Sequence, residues 1–157
     1  MRTATVTRRE TDILAMLKQD HKEVKGMFEE FEGLGTRAVE ARRKLGVKIT
    51  GALTMHSEIE KNLLYPAFKE RAENHDELQQ VLEAFEEHAI VDRLIEEIKG
   101  LDARNESYEA KVKTLMDLVL HHVKEEEREM FPAAKELFER DELLRLGEEA
   151  QGYRGGK

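Results

Sequence analysis

Two stretches of eleven residues, His56 to Pro66 and His122 to Pro132, repeat one pattern: a histidine, a glutamate four positions on (Glu60, Glu126), then an aromatic-proline pair (Tyr65-Pro66, Phe131-Pro132). Positions four apart stack on one face of a helix, so each stretch offers an imidazole and a carboxylate as neighbouring arms of a pincer. Two pincers suggest one shared metal site, and they restrict the fold to one that turns both helices toward the same point. Proline lacks the backbone donor and disfavours helical geometry just before itself. Each pincer-bearing helix is therefore expected to stop or bend at its proline, with the site about two turns inside that end.

The 157 residues fit one domain, 1–157, with a core from about residue 11 to 140. With no cysteine, disulfides, iron-sulfur clusters and thiolate zinc sites are excluded, and any metal must be held by nitrogen and oxygen. Charged residues at 38%, hydrophobic ones at 39% and only two prolines are the balance of a helical protein with a solvated exterior. A net charge of -8 argues against general nucleic-acid binding, which rests on neutralising phosphates, and mildly favours cations. Met1 to Arg9 carry basic charge, but no apolar run follows that could be a signal peptide or membrane span. The expectation is a soluble, cytoplasmic protein without membrane partners. No Met-rich or aromatic patch stands out, so a monomer is the default.

From a cap at Thr11 or Asp12, the positions Ile13, Leu14, Leu17, Val24, Phe28 and Phe31 recur at three and four, marking a helix with one buried stripe that contains His21. Residues 33–36 break it, and Thr36 can cap a second helix running to about Tyr65, followed after Pro66 by a short helical continuation from Ala67 to Ala72. Asp76 is a candidate cap for a third helix, which carries His88 and stops at Gly100. Ser107 is a candidate cap for a fourth, whose inner row includes Val112, Leu115, Val119, His122, Glu126 and Met130. Leu137 to Leu146 can form short helices over one end, and residues 151–157 are expected to fray. The fold class expected is all-α, an up-down-up-down antiparallel four-helix bundle with a short C-terminal helical extension. One misfit stands: His21 lies about thirteen residues before the first turn and His56 about twenty after it, so full-length helices would not bring them level. A later start to the second helix, a looser turn or a tilt would.

Each of the four helices contributes one inward histidine, His21, His56, His88 and His122, and two of them add Glu60 and Glu126. Burying two carboxylates unpartnered costs several kcal/mol, and no lysine or arginine shares the inward rows. A metal would supply the charge. This donor set suits iron, manganese, zinc or copper. If both glutamates bridge, the six side chains fill about eight of the twelve positions of two octahedra. An oxide or hydroxide bridge takes two more and leaves room for a small ligand, an arrangement that suits a redox-active di-iron centre. Beside this set, His121 is a solvent-facing neighbour or an outer contact, His75 a turn residue, and Glu125 and Glu127 a solvated face. Asp92, one turn after His88, is expected to orient an imidazole, with a ligand role as the alternative. The competing picture turns Glu60 and Glu126 to water and leaves a metal-free helical interaction protein.

The motifs Asp20-His21, His56 with Glu60 and Tyr65-Pro66, Glu87-His88, and His122 with Glu126 and Phe131-Pro132 stand in the order of the hemerythrin-like (HHE cation-binding) domains, which the chain resembles from Asp20 to Pro132. The resemblance implies that the four histidines are terminal ligands, that Glu60 and Glu126 bridge two irons, and that the centre meets dioxygen, peroxide or nitric oxide. Marine-invertebrate hemerythrins are similar but carry two histidines four apart on the third helix and an aspartate on the fourth. Here the residue four after His88 is Asp92 and the one four before is Ala84, while the fourth-helix carboxylate is Glu126. One imidazole fewer makes reversible oxygen carriage less secure and peroxide or nitric oxide chemistry more plausible. The function expected is a di-iron protein that binds or turns over such species, with weak catalase or peroxidase activity as its enzymatic form. The alternative is a non-enzymatic store, carrier or sensor working with a separate partner.

Overall fold

The computed structural model describes residues 11–155, and the basic segment Met1 to Arg9 lies outside them. Asp12 opens α1 (Ile13–Glu32): its backbone is extended and its carboxylate accepts the Ala15 N–H at 2.8 Å. Gly33 closes this helix. Helix α2 (Val39–Ile59) begins after Ala38 with no side-chain cap, later than a start at Thr36 would put it. The delay takes up part of the offset between His21 and His56. Asn74, not Asp76, caps α4 (His75–Lys99), accepting the Glu77 N–H at 2.9 Å while Glu77 Oε1 accepts the Glu73 N–H at 2.9 Å. Asn74 holds the extended backbone a cap needs, whereas Asp76 is already helical, and His75 is the helix's first residue and not part of a turn. Ser107 precedes α5 (Tyr108–Glu125) but its side chain makes no cap bond; its N–H is taken by Asn105 Oδ1 at 2.8 Å.

Neither proline ends its helix. After α2 a π-helical turn, Glu60–Leu64, leads directly into α3 (Tyr65–Arg71), and after α5 a second, Glu126–Met130, leads into α6 (Phe131–Leu137). An α-helix would drive the proline ring into the carbonyl four residues back, and Pro66 and Pro132 have no N–H to offer. The wider turn removes that conflict: Tyr65 N–H bonds to Glu60 O and Phe131 N–H to Glu126 O, five residues back. Each proline then occupies the first turn of the following α-segment, where its missing donor costs nothing.

Helix α1 packs on α2 and α5, and α4 on α5 and α2, closing a ring of four long helices. A further helix, α7 (Arg140–Gly155), covers α1 and α2, so residues 151–155 are helical rather than frayed. Its Gly147 lets the backbones touch: an added Cβ would meet Thr11 O at 2.3 Å. Buried apolar side chains form two separate clusters. One gathers Leu14, Leu17, Ile59, Leu64, Phe68 and Phe131 with Leu143 and Ala150 of α7, and the other Val24, Phe28, Phe31, Ile49, Ile95 and Leu115. Between them, where α1 passes from Leu17 to Val24 and α5 from Val123 to Met130, lies a layer of buried polar side chains. No helix among the described residues is long and apolar enough to cross a membrane.

Candidate metal centre

All six expected ligands meet in that layer. Glu60 and Glu126 are 0% and 3% exposed, and His21, His56, His88 and His122 are buried with them, so the picture in which these carboxylates turn to water does not hold. Ligand atoms fall into two groups that share both glutamates: His21, His56, Glu60 and Glu126, and Glu60, His88, His122 and Glu126, each within 4.8 Å. The Nε2 atoms point to the middle. His56 Nε2 lies 2.7 Å and His88 Nε2 3.3 Å from Glu60 Oε1, His21 Nε2 3.3 Å from Glu126 Oε1, and His122 Nε2 3.1 Å from Glu126 Oε2. Even so, Glu60 Oε1 and Glu126 Oε1 have no hydrogen-bond partner, because the neighbouring ring nitrogens are close but not aligned. Among the described residues no lysine or arginine pairs with either glutamate. Orphaned buried carboxylate oxygens ringed by imidazole nitrogens are what a cation-binding donor set requires.

The other face of each imidazole is held. His56 Nδ1–H donates to Asp20 Oδ2 at 2.8 Å and His122 Nδ1–H to Glu87 Oε1 at 3.2 Å. Thus the acid just before each lone histidine orients the pincer histidine of the adjoining helix. His21 Nδ1–H donates to Glu127 Oε2 at 3.0 Å, and His88 Nδ1 meets Ser57 Oγ at 2.7 Å. Such partners fix the tautomer and leave Nε2 free to ligate. Two sequence expectations are corrected. Glu127 is not merely part of a solvated face, since it reaches His21, and Asp92 orients no imidazole, since it pairs with Lys61 at 2.6 Å. His121 faces solvent and pairs with Glu125 at 3.1 Å; with Glu87 they make an outer acidic group.

Tyr65, noted in the sequence only for its spacing, proves central. The π-helical turn hydrogen-bonds its backbone to that of Glu60 and so sets the two side chains over one another. Its hydroxyl gives its one proton to Glu126 Oε2 at 2.5 Å, and the Tyr65 hydroxyl oxygen itself lies 3.0 Å from Glu60 Oε2, His88 Nε2 and His122 Nε2. Phe131 fills the corresponding position in the other half and stacks on His21, ring centroids 5.9 Å apart. The two halves are therefore alike in donors but not in polarity.

Without a cation the layer balances its own charge. Burial would lower the pKa of His56, but the charge of Glu60 and the hydrogen bond to Asp20 outweigh it and lift the value to about 10. Burial is likewise outweighed at His122, where Glu126 and Glu87 raise it to about 11. Glu60 is held well below the usual carboxylate range: burial opposes this, and the charge of His56 overcomes it. Burial, then the charges of Glu126 and Glu60, raise the Tyr65 phenol well above its ordinary value, so it keeps its proton. A cavity of about 30 Å³ adjoins the four histidines and Glu60, its remaining wall mostly Val24, Leu53, Val91, Val119 and Val123. A single water needs only about 10–15 Å³ by this measure, so a diatomic fits.

Comparison with known proteins agrees with this geometry. The chain is 26% identical over 128 residues to a DNA nickase of Nostoc sp. (strain PCC 7120 / SAG 25.82 / UTEX 2576), covering 82% of this chain but only 35% of that protein. Its fold is similar, with a TM-score of 0.75 and 27% identity over 92% of this chain and 88% of the other, to the crystal structure of a hemerythrin HHE cation binding domain-containing protein, the Rv2633c homolog from Mycobacterium kansasii. Residues 12–134 match the family described as the hemerythrin HHE cation binding domain, and with its histidines and glutamates gathered in one buried layer, the chain belongs to that family.

Proposed function

We propose that the chain is a non-haem di-iron protein that binds or turns over small oxygen species, with His21 and His56 holding one iron, His88 and His122 the other, and Glu60 and Glu126 shared between them. The observation that carries this reading is the pair of orphaned carboxylate oxygens common to both ligand groups. It also reads the ring of α1, α2, α4 and α5, joined by short links, as the up-down-up-down bundle such a centre needs. When bound, the irons supply the electrons exchanged with dioxygen, peroxide or nitric oxide. The protein's own groups do the rest. Glu60 and Glu126 fix the spacing, the outer carboxylates and Ser57 aim the imidazoles, and the valine-lined cavity favours small, weakly polar ligands over bulk water. The Tyr65 hydroxyl, beside both glutamates, is the group best placed to lend a proton to a ligand oxygen. Turnover of peroxide would convert two molecules to two waters and one dioxygen, with no net proton change.

A second reading, a non-enzymatic binding or sensing module, draws support from the Nostoc relative, in which the matching region is about a third of a longer chain. Iron analysis and an optical spectrum come first. About two irons per chain are expected in the purified protein and in His75→Ala, and none in the double variant His122→Ala/Glu126→Ala; equal iron in all three would overturn the ligand assignment. Oxygen evolution on adding peroxide then favours turnover, and its absence favours the module.

A further inference from the structure

The two halves of the centre differ in what stands behind their oriented histidines. Behind His122, Glu87 makes no ion pair with a lysine or arginine among the described residues. Behind His56, Asp20 Oδ2 is shared: it accepts from His56 Nδ1 at 2.8 Å and also from the Arg154 guanidinium near the end of α7. Asp20 is largely buried at 12% side-chain exposure, and Arg154, 32% exposed at its side chain, reaches it from the surface. Helix α7 lies beyond residue 134, outside the family match, and is docked by Leu143, Gly147 and Ala150 well before it reaches Arg154. Packing alone would hold the helix without an arginine at that point.

We propose that Arg154 is a positioning residue that acts through Asp20 and His56 to make the His21/His56 half of the centre electron-poorer than the His88/His122 half. An anionic acceptor on Nδ1–H raises the electron density, and the donor strength, of the ligating Nε2. A guanidinium on the same carboxylate oxygen draws that density back, and its own charge disfavours the more oxidised, more positive state of the metals. Both effects raise the reduction potential. A unit charge roughly 8–10 Å from the cations at an effective dielectric of about 20 changes a one-electron equilibrium about twentyfold. Twentyfold corresponds to about 77 mV for one electron. This inference rests on the two-iron reading above.

The test is the midpoint potential of the iron-loaded full chain, by spectroelectrochemistry, for wild type, Arg154→Gln, Arg154→Lys and Arg145→Gln. Arg154→Gln should lower the potential by about that amount at unchanged iron content, Arg154→Lys should restore most of it, and Arg145→Gln, which removes an exposed charge from the same helix without touching Asp20 or the docking of α7, should leave it near the wild-type value. Two irons per chain with an unmoved potential in Arg154→Gln, or an equal shift in Arg145→Gln, would overturn the inference alone. A wild type that takes up no iron would overturn it together with the reading beneath it.

Discussion

Replacing Tyr65 by phenylalanine isolates the contribution of one oxygen atom. The ring is wholly buried, and Phe131 shows that a phenyl group is accommodated at the matching position of the other half. The change therefore removes a hydrogen bond and little packing. In the metal-free protein that bond runs to a charged acceptor, Glu126 Oε2, at 2.5 Å, and bonds of this kind contribute about 1.5–3 kcal/mol. Glu126 has no easy replacement, since its other oxygen already lacks a partner. The unfolding free energy of metal-free Tyr65→Phe should fall by about 2 kcal/mol, with a melting temperature lower by roughly 4–8 °C for a chain of this size. Urea denaturation after chelation measures it, with the slope unchanged. With metal bound the loss should shrink, because the carboxylates then have other partners. A metal-free loss below about 0.5 kcal/mol would mean that the hydroxyl does not hold Glu126, and the case for Tyr65 as proton donor would go with it.

Metal-free protein should lose stability as pH rises. The folded values of His56 and His122, about 10 and about 11, exceed their unfolded value, so their contribution is complete below about pH 6.5 and lost as pH climbs through the folded values. Urea midpoints from pH 6 to 11 should fall steadily, and a flat profile would contradict the proposed imidazolium state. For the same reason loading with a divalent metal at pH 7 should release protons from His56 and His122, detectable with an indicator dye in weak buffer. Asp20→Asn and Glu87→Gln should each weaken metal affinity by about 10–100-fold in competition with a chelator, without unfolding the chain. Gly147→Ala reverses the usual gain from removing a helical glycine: the added methyl meets backbone at 2.3 Å, so a loss of about 1–3 kcal/mol is expected in thermal melts.

Much of this was legible in the sequence because it is local. The apolar spacing of Ile13, Leu14, Leu17, Val24 and Phe28 marks α1, and the burial of these side chains follows it. The histidine-glutamate spacing names four of the side chains that meet, His56, Glu60, His122 and Glu126, and the inward rows of the first and third helices add His21 and His88. What the sequence hides is of three kinds. Proline reads as a stop or a bend with a separate short helix beyond it, since the signal for these and for a π-helical turn is the same residue; only the packed structure shows each helix passing through Pro66 and Pro132 without a break. Long side chains such as Glu127 reach around the helix, so their position on its wheel does not decide whether they touch His21. Contacts distant along the chain, Arg154 with Asp20 above all, have no periodic trace. Tyr65 was detectable in principle: set against Phe131 in an otherwise matched repeat, its hydroxyl is the one polar difference between the two aromatic positions.

Grease joins most small helical proteins through the middle and lets the ends breathe. Here the greasy parts sit above and below a belt of buried imidazoles and carboxylates, so the waist should come apart first when cations bound there are stripped. Chelation should open the backbone around residues 56–60 and 122–126 to solvent exchange sooner than the apolar segments on either side, and the protein's mechanical integrity becomes a gauge of whether it carries metal.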